Sequence, residues 1–167
     1  AFRDVKTEFG EFSNSAVQGD SATIDVELIE NHISERHRFT LVQEDGIWKI
    51  DGHEKLPPAI PEGAAVVDVR LEEFTIEFDA NQVGRTVAFQ VSNAGELDHE
   101  ILVFKVNEAS GQEKPLGRLG PLTPGEGGTM VLVDLDPGRY AFLCNLIDET
   151  DHKPHSNKGM RVDLAIQ

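Results

Sequence analysis

The sequence predicts an all-β protein, in which an antiparallel two-sheet sandwich follows a shorter β-meander. Three observations point there. Short β-rich runs recur at close intervals, turn signals built from Gly, Pro, Asn and Asp separate them, and no stretch shows a convincing helical period. There is no low-complexity tract and no repeat at a fixed period.

The meander comes first. Ala22–Ile29 alternates apolar and polar side chains, and Arg38–Gln43 does so less cleanly, as half-buried strands do. Asp45-Gly46 then stands before Ile47-Trp48-Lys49-Ile50, a strong hairpin signal because a tight two-residue turn favours positive φ. Three antiparallel strands are therefore expected in residues 1–56, with Trp48 in a core. A bare meander of this size leaves one apolar face uncovered, so it must pack on the rest of the chain, on another chain or on sequence missing here. Leu56-Pro57-Pro58-Ala59-Ile60-Pro61-Glu62-Gly63 opposes both helix and sheet ladder, which places a linker at residues 57–63.

Residues 64–167 form the sandwich. Its expected strands are Val66–Phe78, Thr86–Ser92, Glu100–Val106, Thr129–Leu135, Arg139–Asn145 and Arg161–Ile166. Asn93-Ala94-Gly95, Pro124-Gly125 and Asp136-Pro137-Gly138 punctuate them. Such a series of short strands with polar turns indicates two packed antiparallel sheets.

Composition narrows the function. Of 167 residues 39% are apolar, enough for a buried core. Thirty acidic against fifteen basic side chains give a formal net charge of −15, shared by both parts, which argues against nucleic acid and anionic lipid as partners. No apolar run approaches the roughly 20 residues needed to cross a bilayer, so membrane insertion is not expected. The chain starts at Ala1 without Met and without a cationic-then-apolar leader, as a processed protein or a piece of a longer one would. One cysteine, Cys144, excludes an internal disulfide.

Cys144 has company. Tyr140-Ala141-Phe142-Leu143-Cys144-Asn145 is followed by a polar loop and then by Lys153-Pro154-His155-Ser156-Asn157-Lys158-Gly159-Met160, and His99 begins a strand upstream. Taken singly, a strand-end Cys is usually inert, a strand-start Met is usually packing, and a surface His is usually just solvated. Together, a thiolate, two imidazoles and a thioether make the donor set that suits copper as Cu(I) and Cu(II), whereas zinc gains little from Met. The expected metal ligands are His99, Cys144, His155 and Met160.

On these residues the segment 64–167, about 104 of the 167 residues, resembles the cupredoxin (type 1 blue copper) family. Phe89-Gln90-Val91-Ser92-Asn93-Ala94-Gly95 resembles the Asn-bearing turn before that family's first ligand. Tyr140-x-Phe142-x-Cys144 resembles the strand that delivers the thiolate. His155-x4-Met160 matches the plastocyanin-like spacing of the last two ligands, and Leu122-Thr123-Pro124-Gly125 resembles the Pro-Gly turn ahead of a central strand. The resemblance implies a Greek-key sandwich of seven or eight strands with one copper ion at one end. Residues 1–56 resemble, more loosely, the closing strands of NTF2-like domains.

Three features depart from the family's small carriers. Ten residues separate Cys144 from His155, where two to four are usual. His152 is a rival ligand, although only His155 keeps the spacing to Met160 and follows a proline. Glu100 stands after His99 where an Asn is common, and an ionised carboxylate cannot donate the same hydrogen bonds.

The resemblance implies a one-electron carrier rather than an enzyme, working between redox partner proteins, with electrons passing through a His155 edge near the surface. It also implies an extracytoplasmic place, periplasmic or secreted, any membrane tether being supplied by sequence outside this chain. The chain shows no His-Cys-His segment of a multicopper oxidase, no second Cys for a binuclear centre and no second cupredoxin domain. Two other functions stay open: a copper module for storage, delivery or sensing, suggested by the long loop and by His152 and His53, and a metal-free cupredoxin-like interaction domain.

Overall fold

The computed structural model describes residues 7–167, so the start of the N-terminal segment lies outside the described residues. The chain divides into two compact units, Ala1–Ala59 and Ile60–Gln167, with the division inside the proline-rich stretch.

The first unit is a meander of four strands, β1 (Thr7–Gln18), β2 (Ser21–Glu30), β3 (Ile33–Glu44) and β4 (Ile47–Leu56). Each pairs antiparallel with the next. Asp45 and Gly46 both take positive φ, as the tight hairpin requires, and Asn31-His32 makes a second turn of this kind that sequence reading passed over. Strand β1 was also unforeseen. Two bulges, between Phe9 and Phe12 and between Ser13 and Ala16, break the alternation that identifies a strand in sequence.

One side of this sheet carries a polar knot. Asp25, wholly buried, accepts from Nε and Nη2 of Arg38 at 2.7 and 3.0 Å and from the Asn14 amide at 2.9 Å. Trp48 is not in a core as expected. On β4, a strand almost wholly exposed, it stands opposite Gln43 of β3 and is itself 39% exposed, and its neighbours Ile47 and Ile50 are more exposed still. The likeness to NTF2-like domains gains no support beyond the antiparallel order.

The second unit is the expected cupredoxin-like sandwich. One sheet runs β6-β5-β7-β10 and the other β12-β11-β8-β9. The strands are β5 (Ala65–Glu72), β6 (Thr75–Glu77), β7 (Val87–Asn93), β8 (His99–Val106), β9 (Glu113–Leu122), β10 (Gly127–Leu132), β11 (Gly138–Leu143) and β12 (Arg161–Ile166). The chain changes sheet between β7 and β8, between β9 and β10, and again between β10 and β11, which makes the topology a Greek key; β5 and β7 are parallel and the other pairs antiparallel.

Alternation produces the core. Val67, Val69 and Leu71 of β5, with Val87, Phe89 and Val91 of β7, turn inward toward Ile101, Val103, Tyr140 and Phe142 of the second sheet. Phe89 and Phe142 meet edge to face at 5.3 Å, and Phe78 packs on both at 5.7 Å, so three rings join the two layers.

The differences from expectation are local. The single run Val66–Phe78 is two strands, divided at Glu73-Phe74. Strand β9 was missed because Pro115, Gly117, Gly120 and Pro121 argue against sheet; it lies at the edge of its sheet, where a proline costs no ladder bond on its open side.

Tyr140 closes the corner between β10 and β11 by donating its hydroxyl hydrogen to the Asp136 carbonyl at 2.7 Å. Replacing Tyr140 by Phe leaves that buried corner one bond short and is expected to lower stability by about 1 kcal/mol. A lower urea midpoint with an unchanged slope is the expected result, and an unchanged midpoint would show that the corner contributes nothing.

Candidate metal centre

Strand pairing brings the donors together. β11 lies between β8 and β12, with Leu143 opposite Leu102 on one side and Arg161 on the other. His99 opens β8, Cys144 follows the last residue of β11 and Met160 precedes the first of β12. All three therefore lie at one end of the sheet. The Cys144 N–H donates to the Met160 carbonyl at 3.1 Å and the Ser156 N–H to the Cys144 carbonyl at 2.8 Å.

His155 begins a single 3-10 turn, His155–Lys158. Its N–H donates to the Leu146 carbonyl at 2.9 Å, and its own carbonyl accepts the Met160 N–H at 3.1 Å. Gly159 ends the turn at φ 114°, a left-handed conformation that strains any residue with a Cβ.

The structure groups His99, Cys144 and His155, all buried, with one donor atom from each within 4.8 Å of the others. Nδ1 of His99 is 3.2 Å from Nδ1 of His155, and the Cys144 sulfur is 3.4 Å from the same His155 nitrogen. Bonds of about 2.0 to 2.3 Å to one ion set its donors roughly 3.3 to 3.8 Å apart, so this trio fits a metal ion with small adjustments. Met160 is wholly buried beside them, held through its backbone to both Cys144 and His155. His152 is exposed, at positive φ in the preceding loop, and is not part of the group.

Burial pushes the Cys144 thiol pKa up, against the pull of the Leu146 and Glu100 backbone N–H groups. Those N–H groups favour the thiolate, the form that binds a metal. Burial pushes His155 down, and the neighbouring His99 adds to this. The centre thus favours an uncharged imidazole, the ligating form.

The supporting residues are specific. Asn93, buried, donates from its amide to the Leu97 and Leu122 carbonyls, both at 2.8 Å, and accepts the Gly95 N–H at 3.0 Å, which fixes the turn that leads into His99. Glu100 supplies the accepting half of what an Asn would do. Its Oε1 takes the Asn145 N–H at 3.4 Å, tying the His99 strand to the Cys144 loop, and its Oε2 lies 3.4 Å from Arg118.

Two neighbours of the donor group escaped the sequence reading. Glu73 Oε1 lies 3.2 Å from Nε2 of His99, and the Phe74 ring packs edge to face on His155 at 4.9 Å. The adjacent pair Glu72-Glu73 breaks the alternation of Val66–Phe78 and could have signalled a turn there, though not a contact with His99.

The long loop is ordered by its own bonds. Asp148, buried, accepts from Lys158 Nζ at 2.6 Å and from the Thr150 N–H at 2.7 Å, and the Asp148 N–H donates to the Lys153 carbonyl at 2.9 Å. The Lys158 ammonium and the Thr150 donors hold the Asp148 carboxyl far below the usual carboxylate range. Lys158 Nζ also lies 4.5 Å from the Phe74 ring centre. The expectation that His155 offers an edge at the surface is overturned. That residue is 2% exposed: Phe74 packs against its ring, and the longer loop is bonded back to its backbone through Leu146 and the Ile147–Pro154 bridge.

No family model matches this chain, and no curated protein does. Among solved structures it is similar to dithionite-reduced auracyanin from the photosynthetic bacterium Roseiflexus castenholzii, at 19% identity over 63% of this chain and 99% of that one, with a TM-score of 0.44. It is similar to auracyanin B at 15% identity over 65% of this chain and 93% of that one, with a TM-score of 0.46. A multicopper oxidase from Pediococcus acidilactici is similar at 14% identity over 98% of this chain, with a TM-score of 0.42, and the chain spans 46% of that oxidase's length.

Proposed function

We propose that the second unit binds one copper ion through His99, Cys144 and His155, with Met160 as a weaker axial donor, and that it carries single electrons between redox partner proteins outside the cytoplasm. The observation that supports this is the convergence of two imidazole nitrogens and one thiol sulfur within 4.8 Å at one end of the sandwich. Copper held by such a set supplies a one-electron couple between Cu(I) and Cu(II).

The residues of the chain do the rest. His99 presents Nδ1 from the start of β8 and His155 from its 3-10 turn, Cys144 presents sulfur from the end of β11, and backbone bonds through Met160, Ser156 and Leu146 hold Cys144 and His155 in place. Phe74 and the buried surroundings keep water from the donors, so the site offers no open position for a substrate. A carrier rather than an enzyme is the consistent reading. Among the described residues no helix is long and apolar enough to cross a membrane.

Loading the full chain with Cu(II) is expected to give an intense visible thiolate-to-copper band. Cys144→Ser is expected to abolish the band and His152→Ala to leave it unchanged. A colourless protein with Cys144 intact would end the proposal. Met160→Leu removes the axial sulfur and is expected to keep the band while raising the midpoint potential, because a weaker axial donor stabilises Cu(II) less. An unchanged potential would show that Met160 is only packing.

A second reading, a module that stores or delivers copper, is favoured by one observation in the first unit. Nδ1 of His37 and Nε2 of His53 lie 2.7 Å apart, and Glu35 is 3.4 Å from the other nitrogen of His37. A carboxylate there takes the Nε2 hydrogen of His37, so Nδ1 accepts the hydrogen bond from His53 Nε2, and a metal ion would have to displace that bond to take both rings as ligands. Copper titration with mass detection separates the readings. A carrier binds one equivalent, whereas a storage module binds a second that His53→Gln removes.

A further inference from the structure

We infer that Glu73 is a positioning residue of the proposed copper centre, one that fixes the His99 ring and lowers the reduction potential by placing a negative charge behind it. The inference rests on the copper reading above.

Glu73 stands in the turn between β5 and β6. Its Oε1 accepts the Glu96 N–H at 2.7 Å and the Leu97 N–H at 2.8 Å, and lies 3.2 Å from Nε2 of His99. Two main-chain bonds immobilise the carboxylate, so its third contact is directed. A Cβ at position 95 would stand 2.5 Å from the same oxygen, and Gly95 leaves the room that this approach needs.

The chemistry of the pair assigns its tautomer. An ionised carboxylate only accepts, so the His99 ring gives it the Nε2 hydrogen and keeps the Nδ1 lone pair free. That lone pair is on the nitrogen 3.2 Å from His155 Nδ1, inside the donor group. Without Glu73 the ring loses this partner for its distal nitrogen, and neither the tautomer nor the ring angle is fixed.

The sign of the electrostatic effect follows from charge. An anion close to a metal ion stabilises the more positive oxidation state, so a carboxylate behind His99 favours Cu(II) over Cu(I) and lowers the potential. The Glu73 side chain is 30% exposed, and solvent weakens this effect without removing it. The next residue, Phe74, packs on the other imidazole, so one turn touches both histidines.

Glu73→Gln separates charge from shape, since its amide oxygen still accepts the two backbone hydrogens. The full chain and this variant, both loaded with copper, are to be titrated with redox mediators while the visible band is followed. The expected result is a retained band and a higher midpoint potential in Glu73→Gln, and equal potentials would overturn the electrostatic part. In parallel, nitrogen NMR of the metal-free chain labelled at histidine is expected to find His99 with its hydrogen on Nε2. A hydrogen on Nδ1 would overturn the positioning role. A wild-type chain without the visible band would instead overturn the copper reading, and the NMR result would still decide whether Glu73 orients His99.

Discussion

The candidate site depends on β11 being hydrogen-bonded on both sides. With β8 along one edge and β12 along the other, the residue after Leu143 has no freedom in where it emerges. Cys144 comes out beside the start of β8 and the start of β12, which is where His99 and Met160 stand. Sheet register is specified by which face is buried, and a slip of one residue would turn Tyr140 and Phe142 out of the core. The same apolar contacts that stabilise the sandwich therefore aim the thiol.

Around that fixed strand, the polar groups form a connected set. Asn93 holds the turn before His99, Glu73 reaches the His99 ring, Glu100 joins the β8 strand to the residue after Cys144, and Asp148 with Lys158 holds the long loop. The first three join segments far apart in sequence, and the last ties the loop to the turn that follows it. Burying imidazoles and a thiol without a partner is costly, and these bonds keep the donors converged through the remainder of the fold.

The three grouped donors were legible in sequence because their chemistry is in their residue types and the spacing from His155 to Met160 is set by a single turn. The six strands expected in the sandwich were legible from alternation, with ends displaced by a few residues at most apart from the division at Glu73-Phe74. What could not be read is what only the tertiary structure brings near. Glu73 is 26 residues from His99, and nothing local to it signals a contact there. The bulges of β1 hide its period, and the prolines of β9 are compatible with a strand only once that strand is known to be at an edge. Trp48 was misread because a large aromatic is ordinarily interior, whereas the outermost strand of a single-layer meander has no layer of its own unit to enter.

The benzene ring of Phe74 against His155 changes what a visiting molecule meets. With His155 only 2% exposed, that side is covered by the phenyl ring, over whose face the Lys158 ammonium stands, and neither group ligates a cation. A molecule in the medium that approaches from this side therefore meets the phenyl ring before the histidine.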